Sequence, residues 1–298
     1  MFVVAGVSGN TGSVVAETLL EQGKKVRVIV RDPAKGEAWA ERGAEVAVAA
    51  LDDAGAVTEA LRGAQGAYLL APPDPGAADL LASRARVTDA LAAAVVATGI
   101  PHVVFLSSIG AHLPAGTGPI LYVREGERKL RTTGANVTFL RPAFFLDNWF
   151  GSLAKAREEG VLPHFGPTEV AFPQISTLDI GRFGAEALLA PPTGWEAWEL
   201  AGPQEYTVSQ VAAALGEVLG REVKALSAPL EAVVPTFTSF GFSEKVAGLF
   251  ADMYTTMAAG KLVFESAGTD KPVYESGMLR FLRGTVTPQQ AFRRALGG

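Results

Sequence analysis

"MFVVAGVSGNTGSVVAETLLEQGKKVRVIVRDPAK", residues 1–35, decides the fold. Four apolar residues run into a turn carrying Gly6, Gly9 and Gly12, with two residues between each and the next. A helix-like run follows to about residue 22, then a second apolar run, 25–30, that ends in Arg31. Strand, glycine turn, helix and strand in this order make a βαβ unit. In that setting Gly6 allows the tight turn out of the strand. Gly9 lets a diphosphate approach bare backbone, and Gly12 lets the helix start pack closely on the strand. The free N–H groups of the helix start, with its dipole, favour an anionic phosphate, and Asn10 and Thr11 add side-chain donors. Dinucleotide binding is the expectation; the plainer reading is an ordinary glycine turn on an α/β scaffold.

Outward from this unit the pattern repeats. Residues 44–49, 66–71, 102–108 and 136–142 read as strands, and roughly 34–42, 53–62, 79–98 and 120–133 as helices. Alternating elements predict an α/β fold: a doubly wound, mostly parallel Rossmann sheet whose ligand lies at the carboxyl ends of the strands. The second half changes character. Residues 148–160 read as a helix with an aromatic face, 171–189 as a short strand, a turn and a helix, and 195–202 as another short strand. From Pro203 the pattern is largely helical, ending in a Thr-capped helix with Pro288 in its first turn. The expected organisation is a dinucleotide-binding domain over 1–150, rejoined by 171–202. A smaller, mostly helical C-terminal substrate lobe takes 151–170 and 203–298.

Arg31 stands where an NAD-preferring fold usually places an acid for the ribose 2′-hydroxyl. A planar guanidinium, with Lys35 nearby, suits a 2′-phosphate, so NADP(H) is the expected cofactor. Asp32 leaves NAD(H) as the alternative, and a solvated loop pair is the plain reading of Arg31 and Lys35. The net charge of −5 over 298 residues argues against nucleic-acid binding. The absence of cysteine removes disulfides, thiol nucleophiles and thiolate metal sites. No basic n-region precedes the first apolar stretch and no run reaches a membrane-spanning length. A cytoplasmic monomer or homodimer acting on a small molecule is expected. His102, His112 and His164 have no acid at ligand spacing, so no metal is expected.

"GVSGNTG", "VRVIVRDPAK", "PHVVFLSSIGA", "EGERKLRTTGANVTFLRPAFFLDNW", "ISTLDIGRFGAEAL" and "YTVSQVAAALGEVLGREV", in this order and through the terminal "GTVTPQQAFRRAL", resemble the NmrA-like group of atypical short-chain dehydrogenase/reductases. The group includes NADPH-dependent quinone, azo-dye and triphenylmethane-dye reductases, and also nucleotide-sensing regulators. The resemblance implies that Gly6, Ser8, Gly9, Asn10, Thr11 and Gly12 hold the diphosphate and that Arg31 and Lys35 hold the 2′-phosphate. "LLAPP" (69–73), with Ala71 and Pro72, would pass the ribose and diphosphate. Ser107 and Ser108 would lie near the nicotinamide, and "RPAFF" (141–145), with Pro142 and Phe144, would shape its pocket. Phe144, Phe145, Asn148 and Trp149 would face the substrate.

Two departures bear on chemistry. The Gly-Asp pair that many relatives carry after the third strand is replaced by Ala49 and Ala50, which leaves Leu51 and Asp52 for the adenine. The Tyr-x-x-x-Lys dyad of typical short-chain dehydrogenases is absent, because Tyr122 is followed four residues later by Gly126. Without the lysine, Tyr122 is expected to titrate near its ordinary value and to be a poor base. Alcohol oxidation and sugar epimerisation are disfavoured; hydride transfer to a quinone or azo group, with solvent supplying the proton, is not. Tyr122 and Ser108 are the candidate catalytic residues, with amphipathic packing as the plain reading of Tyr122. His112 either orients substrate or is a surface-loop histidine. Glu125 and Glu127 read as a solvated face with Arg124, Arg128 and Lys129. Phe237, Phe240, Phe242 and Met253 read mainly as lobe core, with some of them, Phe240 foremost, lining the substrate pocket. The expected activity is NADPH-dependent hydride transfer to a small apolar, aromatic acceptor such as a quinone. The alternative is a non-catalytic redox sensor that binds NAD(P) and a protein partner.

Overall fold

The computed structural model describes residues 1–72, 76–267 and 277–297. The alternation of the first half appears as β1 (Phe2–Ala5), α1 (Asn10–Glu21), β2 (Val26–Val30), α2 (Glu37–Glu41), β3 (Glu45–Val48), α3 (Ala54–Leu61) and β4 (Gly66–Leu69). It continues through α4 (Leu80–Thr98), β5 (His102–Leu106), α5 (Leu121–Leu130) and β6 (Asn136–Pro142). The second half adds β7 (Phe144–Phe145), α6 (Leu153–Glu159), β8 (Val161–Phe165), β9 (Phe172–Ile175), α7 (Thr177–Leu189), β10 (Trp195–Ala201) and β11 (Glu205–Tyr206). The chain then forms α8 (Val208–Leu219), β12 (Lys224–Ala228), α9 (Val233–Ser239), α10 (Glu244–Ala258), β13 (Gly277–Arg283) and α11 (Pro288–Ala295).

Eight strands form one parallel sheet in the order β13-β10-β6-β5-β4-β1-β2-β3. Its inner strands are buried on both faces, which is why they read as β-branched runs and not as alternations. Val3, Ala67, Leu69, Val103, Phe105 and Phe139 point to one face, where Leu91, Val95, Val123 and Leu130 of α4 and α5 cover them. Val4, Tyr68, Val104, Leu140 and Trp198 point to the other, under Val15, Leu19, Ala185 and Leu188 of α1 and α7. β1 lies between β2 and β4, so the strand order reverses at β1, and a crevice opens above the carboxyl ends of β1 and β4.

The return of 171–202 to the sheet takes place through β10, which pairs with β6 along Trp195–Leu200. The division at 203 does not hold in the structure. β13 pairs in parallel with β10 over its full length, from Trp195↔Gly277 to Ala201↔Arg283, and becomes the edge strand of the main sheet. Without it the β10 edge would carry unpaired backbone groups. The lobe is also less purely helical than its pattern suggests. β8 and β12 form a two-stranded parallel pair, and β11, β9 and β7 a three-stranded sheet. Residues 146–152 form a 3-10 turn and only 153–159 an α-helix, in place of one helix over 148–160. A third core of Leu146, Trp149, Leu162, Val208, Leu215 and Phe292 holds the lobe together. Thr207 and Thr287 cap α8 and α11 with reciprocal capping boxes, and Pro288 opens α11. No described helix is long and apolar enough to cross a membrane.

Candidate dinucleotide and acceptor site

The glycine turn lies at the strand-order reversal. Gly6 has φ of +73°, and its carbonyl accepts the Gly9 N–H at 2.9 Å. A Cβ on Gly12 would lie 2.5 Å from the Ala5 carbonyl oxygen and 2.6 Å from that of Gly6, so the α1–β1 contact admits glycine only. Gly9 caps α1 with no side-chain hydrogen bond, and Ser8, Gly9 and Asn10 are exposed. The turn is thus open at residues 8–10, and no side chain caps the first-turn amides of α1. Thr11 is buried and its Oγ1 accepts the Tyr68 hydroxyl at 2.9 Å, which ties the turn to β4. Leu70 lies over Gly6, Ala71 is buried and Pro72 half-buried beyond it, and Pro73 falls outside the described residues.

β2 ends at Val30, and Asp32 turns its carboxylate to the Ala34 N–H at 3.1 Å, capping the 3-10 turn Pro33–Gly36. Asp32 is thereby occupied locally. Arg31 and Lys35 are exposed and make no ion pair among the described residues. Leu51 packs into the sheet's core and leaves Asp52 exposed beside it.

The tips of β5 and β6 differ from expectation. The Ser107 hydroxyl donates to Glu127 Oε1 at 2.6 Å, so it is committed to a protein carboxylate and not held free for a nicotinamide. Glu127 is 2% exposed, not part of a solvated face. Val123, Gly126, Glu127 and Leu130 share the buried side of α5, a helical spacing that places Glu127 inward, whereas Glu125 and Arg128 pair on the outside. Arg141, also 2% exposed, donates to Glu127 through Nε at 2.8 Å and Nη2 at 2.6 Å. Its Nη1 reaches Glu265 at 2.6 Å, and the Glu265 N–H donates to the fully buried Glu199 at 2.6 Å. Ser266 donates to Glu199 through both N–H and hydroxyl. This ion network clamps the segment 265–266 to the strand tips. The Pro142 carbonyl accepts the Ile109 N–H, while the Ser108 hydroxyl makes no hydrogen bond among the described residues.

Tyr122 is half-buried, packs on the sheet's core and lies under the Arg84 guanidinium, 5.6 Å from its ring. Burial raises its pKa, and the nearby Arg84 charge only partly opposes this. The phenol is therefore a weaker acid than an ordinary tyrosine and stays protonated at neutral pH, where it offers no base, and its contacts are those of a packing residue. A Cβ at Gly126 would lie 2.8 Å from the Phe105 ring, so no lysine fits at the dyad position. His112 is half-buried, not a surface histidine. Burial lowers its pKa while Glu265 pulls the other way, and its Nδ1 has no partner among the described residues.

Beyond β6, Phe144 meets Trp149 at 5.3 Å and Phe172 edge-on at 5.6 Å. The Trp149 N–H donates to Gln174, which in turn donates to the Tyr206 carbonyl, so Trp149 is a buried wall whose polar atom is satisfied. Phe145 is half-buried on the α1/α7-side core and Asn148 is exposed. Phe240 is 70% exposed at the end of α9 and cannot line an enclosed pocket; Phe237, stacked on Phe250 at 4.4 Å, is the inner member of that cluster. Met253 and Leu262 pack on the core, and Leu262 covers Gly110 after β5. No cluster of three His, Cys, Asp or Glu with metal-holding potential occurs among the described residues.

A doubly wound parallel sheet, a glycine turn at the reversal point and a blocked dyad position define an atypical short-chain dehydrogenase/reductase. The chain belongs to the NmrA-like family, whose model matches residues 1–269. It is 28% identical to the NAD(P)H azoreductase of Xenophilus azovorans over 85% of this chain and 86% of that protein. It is 30% identical to the (4-alkanoyl-5-oxo-2,5-dihydrofuran-3-yl)methyl phosphate reductase of Streptomyces griseus over 75% of this chain and 76% of that one. Among solved structures, an NADPH-dependent quinone oxidoreductase of Escherichia coli in complex with NADPH superposes with a TM-score of 0.78 at 24% identity, covering 99% of this chain and 100% of that one.

Proposed function

We propose that this protein is an NADPH-dependent reductase of small, flat, conjugated acceptors of the quinone type. The observation that carries the reading is the pairing of two features at one crevice: an uncapped glycine turn above β1, and an exposed Arg31 and Lys35 beside an Asp32 that is already engaged. The glycine turn fits a diphosphate and the two cations fit a 2′-phosphate. When bound, the cofactor supplies the hydride. The residues of this chain do the rest. Gly6, Gly9 and Gly12 bring backbone to the diphosphate, Leu70 and Leu262 keep water from the strand tips, and the Phe144–Trp149 wall offers an apolar face to the acceptor. No acid–base dyad is placed for alcohol oxidation, and a reduced quinone takes its proton from solvent. The two relatives above are likewise named as reductases.

Calorimetric titration with NADPH, NADP⁺, NADH and NAD⁺, followed by an NADPH-oxidation assay with quinones and azo dyes, tests this. Preference for NADPH with quinone turnover is expected. Preference for the oxidised forms regardless of the 2′-phosphate, with no turnover, would replace it with a redox sensor.

A further inference from the structure

Two half-buried side chains, Leu70 and Leu262, pack against both cores of the main sheet. Those cores lie on opposite faces, so a side chain that touches both sits over the strand ends. Leu70 stands over the β1 turn, where its Cδ2 is 2.6 Å from the place of a Cβ on Gly6. Leu262 stands over the β5 tip, where its Cδ1 is 2.5 Å from the place of a Cβ on Gly110. The sheet order fixes what belongs there. Arg31 and Lys35 follow β2, the glycine turn follows β1, and β4 and β5 come next. A dinucleotide with its 2′-phosphate at β2 and its diphosphate at β1 therefore carries its nicotinamide over β4 and β5. Leu262 fills that place with a side chain of the protein itself.

Leu262 belongs to a strap, residues 261–267, that has neither helix nor strand and is exposed at both ends. Within it Phe264 is buried and meets Phe281 of β13 at 5.4 Å. The rest of its hold is polar. Arg141 Nη1 donates to Glu265 at 2.6 Å, and the Glu265 and Ser266 N–H groups donate to Glu199 at 2.6 and 3.2 Å. Buried ion pairs add little net stability over well-packed apolar side chains, and their best-attested use is to fix one arrangement against another.

We propose that residues 261–267 are a self-inhibiting strap: Leu262 plugs the nicotinamide end of the empty crevice, and the contacts of Glu265 and Ser266 with Arg141 and Glu199 latch it there. This rests on the dinucleotide reading of the crevice. The adenosine half finds its site open, because residues 8–10, Arg31 and Lys35 are exposed. The nicotinamide half binds only once Leu262 leaves Gly110, so NADPH favours the lifted strap by its extra contacts in that state. A ligand without nicotinamide has no such difference between the two states and leaves the strap latched.

The test is hydrogen exchange of the Glu265 and Ser266 amides in the wild-type protein, read by mass spectrometry without ligand, with saturating NADPH, and with saturating 2′,5′-ADP, which has the adenosine and the 2′-phosphate but no nicotinamide. Most ligands slow exchange where they bind. Here NADPH is expected to speed exchange at these two amides about tenfold, and 2′,5′-ADP to leave it within about twofold. Stopped-flow mixing examines the latch: Glu265→Gln and Ser266→Ala are each expected to bind NADPH about three- to tenfold faster than the wild type, with 2′,5′-ADP binding unchanged. Exchange that is slowed or unaltered by bound NADPH, or wild-type NADPH binding rates in both variants, would overturn the strap. Failure of the wild type to bind either nucleotide would remove the dinucleotide reading and the strap with it, whereas binding of both with unaltered exchange removes the strap alone.

Discussion

At the scale of single residues, the proposed 2′-phosphate contact rests on the exposed Arg31. Arg31→Ala is expected to weaken NADPH about tenfold or more and NADH less than twofold, measured by calorimetry. Equal losses for both would remove the 2′-phosphate assignment. His102 and His164 set a pH dependence. Burial lowers both to a pKa of about 4 from the usual 6.5. Below pH 6.5 the unfolded chain takes up protons that the folded chain refuses until about pH 4. Stability is therefore full above pH 6.5 and falls through that window, by up to about 1.4 kcal/mol per pH unit for each group. Urea titrations between pH 4 and 7 are expected to show a shallower fall for His164→Phe than for the wild type.

At the scale of elements, α5 shows how packing and chemistry are joined. The helix comes so close to β5 that Gly126 touches the space of the Phe105 ring. Gly126→Lys would recreate the spelling of the missing dyad, yet it is expected to destabilise by about 1–3 kcal/mol and to confer no alcohol dehydrogenase activity. Both outcomes are read by denaturant unfolding and a dehydrogenase assay. At the next residue, Glu127→Ala strips the buried Arg141 of its bidentate partner and is expected to cost about 3 kcal/mol in a urea titration. The helix itself was legible in the residues 120–133, but the inward turn of Glu127 was not. A glutamate among arginines and lysines looks solvated until the periodicity of Val123, Gly126 and Leu130 is followed across it. β13 was missed for a different reason: a short apolar run near the chain end has no marker of which sheet it joins. Only the open edge of β10 gives it a place.

At the scale of the whole molecule, cofactor and fold are coupled. A ligand that binds only the folded chain stabilises it by about 2.7 kcal/mol at a hundredfold excess over Kd. At equal concentration, NADPH is therefore expected to raise the melting temperature more than NADH does, measured by thermal unfolding. The sequence by itself determined the parallel sheet, the glycine turn at its reversal point and the cationic end of β2, because each is written in contiguous residues with a local conformational demand. Tertiary structure alone decided that Ser107, Glu127, Arg141, Glu199 and Glu265 form one buried network, that Phe240 faces solvent, and that His164 meets Tyr254. Those contacts join residues far apart in the chain, and their energetics come from a shared burial that no local pattern encodes.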